Sequence, residues 1–192
     1  MKKLELILLG LVSILTVSQN ASADILIEPV VGYSWAQSEA KLEVPADPTQ
    51  NNTAKDALNG MSYGGRVGYQ TLGFQFGLDY LASKTESDGA DINTNAIAGF
   101  IGYEFPVLFR VYGGYVFSGV LTSDSDQSSQ DFELSGAKGP KVGIGFSLLS
   151  FLDLNLEYRS IQYDEEKLLD GAAILNAKSN AVMLALSFPI TF

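Results

Sequence analysis

This 192-residue sequence predicts an all-β fold: a closed, eight-stranded, antiparallel up-and-down transmembrane β-barrel. Three observations lead there. Eight segments alternate apolar and polar residues with a period of two. Beyond residue 23 no continuous apolar run is long enough for a spanning helix. The connections alternate between tight turns and long polar stretches, the asymmetry of barrels that cross a membrane.

The N-terminal segment reads as a secretion signal. Lys2 and Lys3 precede an apolar stretch over 4–17, broken by Glu5, Ser13 and Thr16. Ala21-Ser22-Ala23 then supplies a small-x-small cleavage triplet. The expected organisation is a removed signal over 1–23 and one barrel domain over 24–192, placed in the bacterial outer membrane. Alternation alone does not separate this barrel from a soluble one of lipocalin type, whose apolar face turns inward. The secretion signal, the loop asymmetry and the final aromatic, Phe192, decide for the membrane.

The strands are expected at 25–36, 60–70, 72–82, 92–105, 107–118, 135–149, 151–163 and 179–192. Tight turns fall at Gln70-Thr71-Leu72, Glu104-Phe105-Pro106-Val107 and Leu149-Ser150-Phe151, on the periplasmic side. Long extracellular loops are expected at 37–59, 83–91, 119–134 and 164–178. Ile27, Val31 and Trp35 of the first strand alternate with Glu28, Val30 and Ser34, so the first set faces lipid and the second the lumen. The same reasoning turns Arg66, Gln75, Asp79, Arg110, Tyr112, Lys141, Asp153, Asn155, Glu157 and Arg159 inward. In the fourth strand, Ile97, Ile101 and Tyr103 are read outward, which leaves Glu104 inward. Two aromatic belts follow: Trp35, Tyr63, Tyr80, Phe117 and Tyr158 toward the outside, and Tyr69, Phe74, Tyr103, Phe109, Phe151 and Phe192 toward the periplasm. Pro29, Pro140 and Pro189 each remove a ladder donor, and two of them lie on the strands that close the ring.

Charge sorts by location. Glu28, Asp79, Glu104, Asp153 and Glu157 on the strands balance Arg66, Arg110, Lys138, Lys141 and Arg159. The loops therefore carry the net charge of −10. No basic patch exists for nucleic acid. Absence of Cys rules out disulfides, and absence of His removes the usual general base. Neither catalysis nor a cofactor is expected. The oxygen-rich stretch Ser123–Asp131 has Ser129 and Ser135 where an EF-hand calcium loop needs Gly and Glu, so no metal site is read there. Glu165–Leu175 is expected to hold a short helix stopped at Gly171, with Leu168, Leu169, Ile174 and Leu175 needing cover. The inward charges of an eight-stranded barrel must pair with one another, because the bore is just wide enough for side chains.

By its strand layout and its C-terminal LALSFPITF, the mature chain resembles the small eight-stranded outer-membrane proteins of the OmpA transmembrane-domain and OmpX kind. The resemblance implies that Phe188, Ile190 and Phe192 form the signal read by the barrel-assembly machinery. It implies a monomer whose partners are outer-membrane lipid and lipopolysaccharide. The expected role is a charge-plugged structural component of the envelope with acidic surface loops. Two alternatives stand beside it: a surface adhesion or recognition protein acting through those loops, and a narrow gated channel or small-ligand passage resembling OmpW. The last needs an apolar tunnel, against which the polar inward residues argue.

Overall fold

The computed structural model describes residues 23–43, 52–87, 90–125, 132–163, 165–167 and 173–192. Most of the expected secretion signal, the stretch 126–131 of the oxygen-rich segment, and Leu168 and Leu169 lie outside the described residues.

Eleven strand segments make the barrel: β1 Asp24–Glu43, β2 Asn52–Thr71, β3 Phe74–Ser87, β4 Ala90–Phe105, β5 Phe109–Ser125, β6 Phe132–Ser135, β7 Gly139–Leu149, β8 Leu152–Tyr163, β9 Glu165–Lys167, β10 Ala173–Ser187 and β11 Ile190–Thr191. They form eight staves, because β6–β7, β8–β9 and β10–β11 each continue one line. The register proves it. Leu134 faces Leu121 and Gly139 faces Val116, so the break between β6 and β7 neither gains nor loses a residue against β5. Each stave pairs antiparallel with its sequence neighbour, and β1 with β10 closes the ring. The expected eight-stranded up-and-down barrel is therefore the observed fold.

The closing seam carries two of the prolines. Phe188 donates to the Pro29 carbonyl at 3.0 Å, and Ile25 and Phe192 exchange backbone bonds at 3.1 Å. Pro189 interrupts the ladder between β10 and β11 without shifting it: Ile27 faces Ile190 and Val30 faces Ser187. The lower aromatic belt is laced sideways. Phe74, Tyr103, Phe105 and Phe109 form a chain of ring contacts with centroids 4.8, 4.8 and 4.3 Å apart across three staves.

Several expectations are corrected. The strands run far past their expected upper ends, so the connections 37–59 and 83–91 are mostly strand. The helix expected from Glu165 is absent where it can be seen: Glu165–Lys167 is β9, and Ala173 already belongs to β10. The stave expected at 135–149 is split into β6 and β7.

The reason is an inversion of side-chain polarity partway up each stave. On β8, Leu154, Leu156 and Tyr158 point outward while Asp153, Asn155, Glu157 and Arg159 are buried inside. Beyond Tyr158 the assignment reverses: Gln162 is exposed, and Ile161 and Tyr163 are buried. The same change occurs on β1, where Tyr33 and Trp35 give way outward to Gln37 and Glu39. It marks where the outer face leaves hydrocarbon and meets water. Above it the barrel has an ordinary apolar interior built from Leu58, Ile92, Leu121, Leu134, Ile161 and Tyr163. A transmembrane strand needs only about 9–11 residues, so the 20 residues of β1 and of β2 carry a crown well beyond the bilayer.

The β2–β3 connection is a two-residue turn with Leu72 at φ 51° and Gly73 at φ 82°. Positive φ at both central positions suits Asn-Gly and is costly for a γ-branched residue. Replacing Leu72 with Asn should stabilise the barrel by about 1 kcal/mol, seen as a higher urea midpoint in detergent at unchanged m-value. A lowered midpoint would show that Leu72 earns its place through lipid contact.

Candidate functional site

The inward positions of the membrane span converge on one buried network. β2 supplies Arg66, β1 Glu28, β3 Asp79, β5 Arg110, β7 Lys141, and β8 Asp153, Asn155, Glu157 and Arg159, all buried. Arg66 is the hub. Its guanidinium donates to Asp79 Oδ2 at 3.0 Å, Glu157 Oε2 at 3.0 Å and Glu28 Oε1 at 3.2 Å. Four staves, β2 with β1, β3 and β8, are thereby tied through one planar group, which suits arginine and no other cation.

Arg110 forms the second node. It grips Glu28 through both terminal nitrogens, donates to Asn155 Oδ1 at 2.8 Å and Ser187 Oγ at 3.2 Å, and lies 3.5 Å from Asp153. Asn155 in turn donates to Ser187 at 2.8 Å. Lys141 pairs with Asp79 and lies 3.4 Å from Glu157, and Arg159 donates to Glu157. Four cations thus meet Glu28, Asp79, Asp153 and Glu157, a balanced set. Balance matters because removing an unpaired ion from water costs several kcal/mol or more.

Gln75 and Glu104 stand apart from this set, toward the periplasm. Glu104 accepts from Gln70 at 3.0 Å and from Gln75 at 3.2 Å, and Gln75 also donates to Gln70 at 3.1 Å. This small carboxylate–amide group borders a mouth cavity of about 470 Å³ lined by Glu104, Phe105, Leu108, Leu149, Asp153 and Pro189 among others. A second cavity, of about 50 Å³, lies in the upper barrel beside Leu58, Leu121, Arg159, Ile161, Tyr163 and Met183. The two share no lining residue, and the charge network stands between them.

Tyr112 is the feature the charge pattern did not announce. Its ring is faced by Arg66 at 4.3 Å, Arg110 at 5.6 Å and Lys141 at 5.8 Å from the centroid. A cation over an aromatic face is attracted by the ring quadrupole, more so when desolvated. The ring reaches across to β7: a Cβ added at Gly143 would meet its Cζ at 2.3 Å. The hydroxyl makes no hydrogen bond among the described residues. The available signal was an aromatic at an inward position two residues from Arg110. Its glycine seat on another stave needs the register to be seen.

The belt residues lie on the outer surface. Trp35, Tyr63, Tyr69, Tyr80, Phe117, Phe151, Tyr158 and Phe192 are exposed, while Tyr103 and Phe109 are half-buried by their ring contacts. Tyr33 and Tyr158 hydrogen-bond Asn59 at 2.7 Å and Asn180 at 3.2 Å, amides standing at the upper edge of the apolar face. Phe188, Ile190 and Phe192 are exposed on the last stave.

Comparison with known proteins adds a family and a fold. The sequence matches the outer membrane protein beta-barrel domain over residues 7–188. No curated protein matches it. The structure resembles the attachment invasion locus protein Ail of Yersinia pestis in complex with the heparin analogue sucrose octasulfate. That match has a TM-score of 0.56 and 12% identity, covering 86% of this chain and 99% of that one. It also resembles Neisserial surface protein A, with a TM-score of 0.51 and 16% identity over 87% of this chain and 98% of that one.

The interior makes a divided set of expectations. Tyr112→Phe removes a buried hydroxyl that makes no hydrogen bond of good geometry among the described residues, and should leave stability unchanged within about 0.5 kcal/mol or raise it slightly. Tyr112→Ala should cost about 3–5 kcal/mol through the cavity and the lost cation contacts. Arg66→Met should cost a similar 3–5 kcal/mol, because three carboxylates lose a shared donor. Unfolding midpoints in detergent test all three, and a Phe variant as damaged as the Ala variant would refute this account of Tyr112.

Proposed function

Because the chain belongs to the outer membrane protein beta-barrel domain family, we propose that it serves the bacterial envelope as a closed, non-catalytic barrel. One observation carries the reading: a balanced network of buried ions stands between the two cavities described. Above that network the apolar cluster around Leu121, Ile161 and Tyr163 narrows the bore again, around the cavity of about 50 Å³. Two seals of opposite chemistry in series suit a structural element better than a conduit. The cavity described within the apolar upper tier, about 50 Å³, is far smaller than the tunnel an OmpW-like ligand passage requires. On this reading the chain acts as a monomer after loss of residues 1–23. Phe188, Ile190 and Phe192 present the outward row recognised during assembly.

A second reading has its own support in the crown above the bilayer, which is larger than anchoring requires. A binding surface there would differ in sign from a receptor for polyanions such as the heparin analogue held by Ail. With a net charge of −10, the rim favours basic or divalent-bridged partners.

Planar-bilayer recordings separate closed barrel from channel. Neither wild type nor Arg110→Ala should show steady conductance, since the apolar tier remains shut in both. A stable current in wild type overturns the closed-barrel reading; a current only in Arg110→Ala makes the ion network a gate. For the crown, the connections within 37–59, 119–134 and 164–178 are cut back one at a time to tight turns. Envelope integrity is expected to persist in each. Loss of cell or surface binding in any one would transfer the function to that connection.

A further inference from the structure

A single charge borders the upper cavity. Among its lining residues only Arg159 is ionised; Ser34, Ser83 and Ser179 add hydroxyls, and Leu58 and Leu121 add apolar walls. Arg159 is also the least neutralised cation of the buried network. Its Nε donates to Glu157, but Glu157 already accepts from Arg66 at 3.0 Å and lies 3.4 Å from Lys141. Three cations therefore share that carboxylate. Arg66 and Lys141 have Asp79 as well, whereas Arg159 has no second carboxylate among the described residues. Its terminal nitrogens make no hydrogen bond of good geometry among the described residues, although only 9% of the side chain is exposed.

The hydroxyls bring hydrogens of their own. Ser34 and Ser83 each lie against Ser62, at 2.6 and 2.7 Å. Those two contacts use two of the three hydroxyl hydrogens, leaving one that Ser34 or Ser83 can turn into the cavity. Ser179 accepts from Ser38 at 3.3 Å, and its own hydrogen has no acceptor among the described residues. Donors and positive charge thus border a space of about 50 Å³ that no carboxylate lines. One water needs roughly 15 Å³, so the space admits a halide and excludes a six-carbon acid. Water would accept from these donors but would leave the Arg159 charge without a counter-ion. The apolar walls lower the local dielectric and strengthen the attraction for an anion.

We propose that this cavity is a binding site for a small monovalent anion of the halide class, held by the terminal nitrogens of Arg159 and the hydroxyls of Ser34, Ser83 and Ser179. The contact with the guanidinium is charge-assisted at both ends. The ion draws on β1, β3, β8 and β10 together, and so braces the barrel where the charge network gives way to the apolar cluster. The site is independent of whether the lumen conducts.

The test follows the thermal unfolding midpoint of the full barrel in detergent as sodium chloride replaces sodium gluconate at constant ionic strength, gluconate being too large for the cavity. Wild type should gain about 3 °C for each tenfold rise in chloride once the site is filled. Arg159→Met removes the charge, and Ala181→Leu fills the cavity from its wall. Neither should show the gain. Ala181→Leu keeps every charge in place, so it separates ion binding from damage to the network. No gain in wild type overturns the site, and so does a gain as large as wild type's in either variant. Crystals of wild type grown in sodium bromide should show an anomalous peak within hydrogen-bond reach of Arg159. An ordered water there instead overturns the assignment to an anion.

Discussion

Hydrocarbon leaves no backbone donor or acceptor unpaired, and this constraint governs everything else in the molecule. It forces the sheet to close, and eight staves close around a bore that side chains fill. Charges inside such a bore have only one another for solvent. Arg66 therefore matters beyond its own contacts: by serving Glu28, Asp79 and Glu157 together, it lets carboxylates from three staves coexist. Arg110 and Lys141 complete the compensation, and Tyr112 gives all three cations an aromatic face where no water need stand. The glycine at position 143 belongs to the same arrangement, since any side chain there would displace the ring.

Closure also explains why the prolines are tolerated. Pro29 and Pro189 both lie at the periplasmic end of the seam, where lost donors fall close to water. The ladder resumes beyond Pro189 in the same register, and the terminal bonds between Ile25 and Phe192 fasten it. The breaks between β6 and β7 and between β8 and β9 likewise conserve register. Register shifts between neighbouring staves occur elsewhere, at Glu39/Lys41 of β1, Ile97/Ala98 of β4 and Ser147/Leu149 of β7.

Much of the span was legible because its two faces see such different surroundings. Leu154, Leu156 and Tyr158 against Asp153, Asn155 and Glu157 leave little doubt which residues face in, and the inward charges followed from the same alternation. The pairings among them were not legible. That Arg66 meets Glu157, 91 residues away, depends on the stagger of staves around the ring. The upper ends of the strands were missed for a different reason. The period of two continues through Gln162 and Tyr163, but its phase reverses at the bilayer surface, so a pattern sought with apolar residues outward stops there. Glu165–Lys167 suffered most: a charged run with leucines after it reads as a helix start, yet pairing with β6 holds it extended.

The reversal of phase means that one backbone is stabilised by two different solvents. In the crown, Leu58, Leu121 and Ile161 gain from leaving water, a gain that carries a large heat capacity and fades on cooling. In the span, the outward leucines and valines meet acyl chains as apolar as themselves, and little of that driving force exists. What holds the interior there is attraction between ions in a low-dielectric bore, which has no such decline in the cold. Temperature therefore acts unequally along the barrel axis. On chilling, the rim that meets the outside world softens first, while the ring embedded in lipid keeps its shape.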